Sequence, residues 1–326
     1  MIARPLRHSA RLLLVALLAA AGTTANAQGF ADSAPGISLD LPPLNNFASP
    51  EQKQGRSLAA ATAGKTTLAA RLVGEGEDIS RGLMWRIFKP QAGSDGKLPL
   101  VASAQGGTSV FDLPPGSYLV HAAFGRAGAT KRITVGRDSQ RETIVLDAGG
   151  LELDAVLEGG KRIAADQLKF SIYEANADEQ GERALIIPNV KPSTVVRLNS
   201  GVYHVVSTYG SVNAVIRSDI RVEAGKLTEA TVEHRAAEIT LKLVRDRGGE
   251  AIADTSWSVL TASGDPIRES VGAYASMVLA EGEYTIIAKN RDRIYQRALT
   301  IEAGSDQDVE VLATEEDAIP EGEITD

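Results

Sequence analysis

Histidine is the side chain best placed to move protons or bind a metal near neutral pH, and the sequence holds four: His8, His121, His204 and His234. A metal centre needs several ligands converging on one point, and a Ser-His-Asp triad needs a nucleophile and an acid within hydrogen-bond reach. His121 stands three residues beyond Tyr118 and His204 one beyond Tyr203, positions that do not correspond, and no G-x-S-x-G string occurs. If the two tyrosines face a core, strand alternation turns both histidines to the outer face. His121, His204 and His234 are therefore expected to meet solvent or a partner, not a substrate.

Other chemical candidates fail on spacing. Gly64-Lys65-Thr66-Thr67 resembles the end of a phosphate loop, but Ala59 stands where that loop needs its first glycine. Gly74-Glu75-Gly76 is followed by Ile79 where a dinucleotide fingerprint wants a third glycine. The acids of 176–182 and the pair Asp306 and Asp308 lack the spacing of a calcium loop, leaving at most weak calcium stabilisation. There is no cysteine, hence no disulfide, no thiolate metal site and no thiol nucleophile. The expectation is no catalytic residue, no cofactor and no metal ligand.

Charge narrows the field further. With 34 Lys and Arg against 42 Asp and Glu and no basic cluster, the chain is unsuited to phosphate backbones, so no nucleic-acid partner is expected. Arg4, Arg7 and Arg11 precede a ten-residue apolar run, Leu12 to Ala21, and Ala25-Asn26-Ala27 offers a small-residue cleavage site. Residues 1–27 therefore read as a signal peptide, with Gln28 the first mature residue. Ten residues as a helix cover about 15 Å, half of a ~30 Å hydrocarbon core, so no stable membrane insertion is expected after cleavage. Losing those arginines leaves 31 basic residues against 42 acidic ones, a net charge of −11. The location expected is the periplasm, or alternatively the medium.

The remaining organisation is that of a repeat. Residues 28–64 read as a flexible arm bearing one short apolar patch, whose Leu39, Leu41, Leu44 and Phe47 could dock on a partner or fold back on the first domain. Three β-sandwich units are expected at 65–148, 149–236 and 237–314, followed by an acidic, disordered tail at 315–326. Each unit opens with an alternating strand (Leu68, Ala70, Leu72; Leu151, Leu153, Ala155; Ile239, Leu241, Leu243) and continues to a strand centred on Trp85, Phe170 or Trp257. Each then carries L-x-x-G-x-Y-x-[VI], with Gly116 and Tyr118, Gly201 and Tyr203, Gly282 and Tyr284. The glycine permits a tight turn, and the tyrosine can bury its ring while its hydroxyl bonds back to the turn. A last strand is read at 132–135, 220–222 and 299–301. Short strands, frequent turns and no amphipathic helix predict an all-β chain of three tandem antiparallel sandwiches, Ig-like or prealbumin-like. The short junctions predict a stiff array.

The string Leu113-Pro114-Pro115-Gly116-Ser117-Tyr118-Leu119-Val120 resembles carboxypeptidase-regulatory-like, prealbumin-like and fibronectin-like extracellular sandwiches. The full repeat, with the [VI]-E-A-G endings of its last two units, is similar to sandwich repeats of exported α-proteobacterial envelope proteins. The resemblance implies a fold and an envelope setting, not a reaction. Together these readings point to a non-enzymatic envelope scaffold or adaptor that binds other envelope proteins through sheet edges or the arm. The alternative is a recognition module for envelope polysaccharide or peptidoglycan, which would need Tyr209, Tyr274 and Tyr295 to cluster on one face. Neither the partner nor the oligomeric state is legible in the residues.

Overall fold

The computed structural model describes residues 64–314 and the backbone of 318–320. The leader at 1–27, the arm to residue 63 with Leu39, Leu41, Leu44 and Phe47, and the rest of the tail lie outside the described residues. Unit 1 contains β1 (Gly64–Arg71), β2 (Leu83–Phe88), β3 (Leu100–Gly106), β4 (Ser109–Leu113), β5 (Gly116–Phe124), β6 (Ala127–Val135) and β7 (Gln140–Val145). Unit 2 contains β8 (Ala148–Leu157), β9 (Leu168–Ala177), β10 (Arg183–Val190), β11 (Val196–Asn199), β12 (Gly201–Tyr209), β13 (Ala214–Val222) and β14 (Leu227–His234). Unit 3 contains β15 (Ala236–Val244), β16 (Ser256–Thr261), β17 (Pro266–Val271), β18 (Tyr274–Ala280), β19 (Gly282–Asn290), β20 (Arg293–Ile301) and β21 (Gln307–Leu312). A short β22 (Ala318–Pro320), inside the stretch expected to be disordered, pairs antiparallel with β20.

Each unit pairs a three-stranded sheet with a larger one. The small sheets run β4-β1-β7, β11-β8-β14 and β18-β15-β21; the large ones run β3-β2-β5-β6, β10-β9-β12-β13 and β17-β16-β19-β20-β22. Alternation along the opening strands drives this: in β8, Leu151, Leu153, Ala155 and Leu157 are buried while Asp154 is exposed. Trp85, Phe170 and Trp257 fill the centres of the three cores from the large sheets, against Leu68, Leu151 and Ile239 of the small ones. Both indoles also satisfy their only donor, Trp85 on the Gly107 carbonyl at 2.8 Å and Trp257 on that of Gly272 at 2.9 Å.

Two details depart from the sequence reading. The strands at β6, β13 and β20 are not the last of their units: β7, β14 and β21 follow and pair parallel with β1, β8 and β15. The small sheets are thus mixed, because the chain crosses to the opposite sheet after β6 and returns beside the opening strand in the same direction. The connections are also shorter than the sequence suggests. Ala148, placed at the end of unit 1 by the sequence reading, already lies in β8 of unit 2, and only Arg235 separates β14 from β15.

Candidate functional site

The motif glycines and tyrosines form the same corner three times. Gly116, Gly201 and Gly282 have φ of 156°, 157° and 152°, a backbone region that disfavours any side chain. That turn lets the tyrosine hydroxyl reach back four residues: Tyr118 donates to the Pro114 carbonyl at 2.8 Å, Tyr203 to Asn199 at 2.9 Å and Tyr284 to Ala280 at 2.8 Å. Tyr118 and Tyr284 are buried, whereas Tyr203 is half-buried. Its hydroxyl pKa is raised, first by burial and then by the Glu174 charge.

These corners are also where the units meet. Between units 2 and 3, Asn213 of the β12–β13 turn donates its amide N–H to the Tyr284 oxygen at 2.8 Å and accepts the Ala280 N–H at 3.0 Å. Between units 1 and 2, Asn199 donates to the carbonyls of Leu146 at 2.7 Å and Gly128 at 3.2 Å, and accepts the Gly128 N–H at 3.2 Å. Each asparagine offers both a donor and an acceptor, so it substitutes for a strand neighbour across a joint that has no ladder. Hairpin tips supply the steric fit. A Cβ on Gly125 would stand 3.0 Å from that of Arg197, and one on Gly210 would stand 2.7 Å from that of Val278. Both glycines also have positive φ, 66° and 71°. The matching position of unit 3 is Arg291, and no further unit packs on it among the described residues.

Charge and burial reinforce the second junction. Arg235, the single connecting residue, takes the Glu281 carboxylate with two donors, Nη2 to Oε1 being 3.0 Å, and lies 3.8 Å from Glu158. The Glu281 hydrogen bond and the charge of Glu158 raise the pKa of Arg235, while Arg235 lowers that of Glu281. Lys161 of unit 2 meets Asp306 of unit 3 at 2.6 Å, and Asp306 also accepts the Glu238 N–H at 2.9 Å. Leu157, Tyr209, Ala214, Ala236 and Val278 make a small apolar cluster between the two cores. At the first junction, Arg197 lies 4.4 Å over the Phe124 ring, and the Arg126 N–H donates to the Arg197 carbonyl at 3.0 Å.

The histidines are dispersed. His121 bonds Thr130 at 2.9 Å, and burial and then Arg86 lower its pKa. His204 lies on the same face as Asp219 and bonds it at 2.7 Å. His234 departs from the expectation of exposure: it is 1% exposed, bonds Ser207 at 2.7 Å and packs edge-on to Tyr209. It is the last residue of β14, on the inner face that Ala230 and Val232 pack against the unit 2 core. Among the described residues no His, Asp and Glu cluster could hold a metal. Asp306, one of the pair lacking calcium-loop spacing, is the junction acid, held by Lys161 and the Glu238 N–H. Of the tyrosines that could form a glycan platform, Tyr209 and Tyr295 are buried and only Tyr274 is exposed, so that clustering does not occur.

The chain is thus built of tandem β-sandwich repeats. Residues 238–313 match the family described as the Rhizobiales growth-associated tandem repeat domain. That match spans the third unit. No curated protein matches the chain. Among solved structures it is similar to GBS52, the minor pilin of Streptococcus agalactiae, with 15% identity over 53% of this chain and 95% of that one and a TM-score of 0.31. The major pilin BcpA of Bacillus cereus gives 10% identity over 77% and 99%, with a TM-score of 0.22. The Bacillus anthracis TIE protein gives 16% identity over 77% of this chain, with a TM-score of 0.22, and this chain spans 51% of its length. Among the described residues no helix is long and apolar enough to cross a membrane.

Proposed function

We propose that this protein is a non-enzymatic spacer or adaptor of the bacterial envelope, exported to the periplasm, on which other envelope proteins assemble. The observation that carries this reading is the pair of locked junctions. A connection of one or two residues, an amide bridge and a glycine-fitted hairpin tip at each joint hold three sandwiches in fixed succession, which suits setting a distance and not closing on a substrate. The match of unit 3 to a repeat named for growth in the Rhizobiales supports a role in the growing envelope. The arm, with Leu39, Leu41, Leu44 and Phe47, is the proposed contact for a partner protein.

The test is crosslinking in cells followed by pull-down from envelope fractions, comparing the full protein with one lacking residues 28–64. A defined protein partner lost with the arm supports the adaptor. Recovery of glycan without protein rejects it, as does turnover of an envelope substrate abolished by changing His121 or His204. Sequencing the N-terminus of the mature protein checks export, with Gln28 expected as its first residue.

A further inference from the structure

At the first junction the two units enclose a cleft of about 500 Å³ to which unit 1 contributes Arg86, His121 and Arg126, and unit 2 contributes Leu185, Ile186 and Tyr203. Among the described residues three buried side-chain polar atoms lack a hydrogen-bond partner, and two of them, Arg86 Nη1 and Arg126 Nε, are on side chains that line this cleft. A guanidinium N–H is a donor only, and a buried charged donor without an acceptor carries a desolvation cost that an anion would relieve. Neither side chain is ion-paired among the described residues. Burial and Arg86 favour the neutral form of His121, so the positive charge of the cleft comes from the two arginines.

The rest of the lining specifies the anion. Leu185 is 51% exposed, a large apolar side chain left open beside two arginines. Glu174 also lines the cleft, so a doubly charged phosphate is disfavoured there relative to a single charge. Planar guanidinium groups match a carboxylate with paired N–H donors. We propose that this cleft binds a carboxylate carried on an aliphatic group, supplied either by a free small acid or by the C-terminus of a peptide. The site is separate from the arm and does not depend on the adaptor reading.

The experiment is a chemical-shift titration of the isotope-labelled mature protein with four probes: 4-methylpentanoate, its amide, acetyl-Ala-Leu as the free acid, and the same peptide amidated. Saturable shifts at His121, Leu185 and Ile186 are expected with the acids, with the amides at least about tenfold weaker, as loss of a charge-assisted bond implies. Tighter binding of the peptide acid identifies a chain terminus as the source; equal or weaker binding identifies a small acid. Arg86→Gln and Arg126→Gln should each weaken the acids by about tenfold. The proposal is overturned if acids and amides bind alike, if no acid shifts these residues, or if both variants bind as the parent does. Leu185→Glu puts a carboxylate into the cleft without altering either arginine, so it serves if an arginine variant misfolds. Acid binding should then be lost, and unchanged binding rejects the site.

Discussion

The amide of Asn213 bridges the tyrosine corner of the next unit: it donates to the Tyr284 oxygen at 2.8 Å while its own oxygen accepts the Ala280 N–H at 3.0 Å. Because Tyr284 donates to the Ala280 carbonyl, the three residues close a ring of hydrogen bonds across the joint. A corner that in isolation stabilises one turn here also fixes the neighbouring unit.

Asn213→Ala should therefore destabilise the second junction by about 1 to 3 kcal/mol, the cost of leaving the Ala280 N–H without its partner. Denaturant unfolding, followed by the fluorescence of Trp257 in unit 3, would measure this. An unchanged midpoint would show the amide bridge to be dispensable.

Tyr203→Phe removes one hydroxyl bond at a half-buried corner, with an expected loss of roughly 0.5 to 1.5 kcal/mol. Tyr284→Phe should cost more, since its oxygen also serves Asn213. Equal losses in thermal melts would show that the Asn213 bond adds nothing to the Tyr284 corner.

Trp257→Ala empties the centre of the third core and should cost about 3 to 5 kcal/mol. A change within about 0.5 kcal/mol is the signature of a surface residue and would refute its placement.

Gly210→Ala tests the steric fit of the hairpin tip. A Cβ 2.7 Å from that of Val278 at a φ of 71° must displace one unit from the other. The expectation is faster amide exchange at Val278 and Ala280 with the interior of both sheets still protected, and unaltered exchange there would count against a close joint.

Acid should loosen the same junction. An unfolded histidine titrates near 6.5, and burial holds folded His234 below its ordinary value. As the pH falls below about 6.5 the unfolded chain takes up the proton first, so stability declines until the folded value is passed; above 6.5 this contribution is constant. His121, shifted the same way, adds to the trend. Melting temperatures between pH 8 and 5.5 should fall more steeply for the parent than for His234→Gln. Parallel curves would mean that His234 is not held neutral.

The sandwich architecture was readable because its signals are local. Alternation in Leu151, Leu153 and Ala155, one large aromatic per unit and the glycine two residues before a tyrosine each express a constraint within a few residues. The junction chemistry was not. Asn199 and Asn213 act on residues 53 to 71 positions away, and neither side chain differs in type from an ordinary turn asparagine. A partial signal existed at Asn199, the polar residue in a motif position held elsewhere by Pro114 and Ala280. His234 shares the inner face of β14 with Ala230 and Val232, so its burial follows the alternation of a strand that the sequence reading does not include. The strands β7, β14 and β21 are absent from the sequence reading although Val309 and Val311 alternate with polar residues in β21; it is their parallel direction, set by the crossover, that leaves no period.

That parallel pairing has a mechanical consequence. In each sandwich the first and last strands lie side by side and point the same way, with β8 and β14 in register from Gly150 and Leu227 to Leu157 and His234. Tension applied through the chain ends would pull these strands in opposite directions along their length, loading the rungs of the ladder together in shear instead of opening them one at a time. Each unit would thus resist stretching as a clamp, and the single residue Arg235 would pass the load from one clamp to the next with almost no slack.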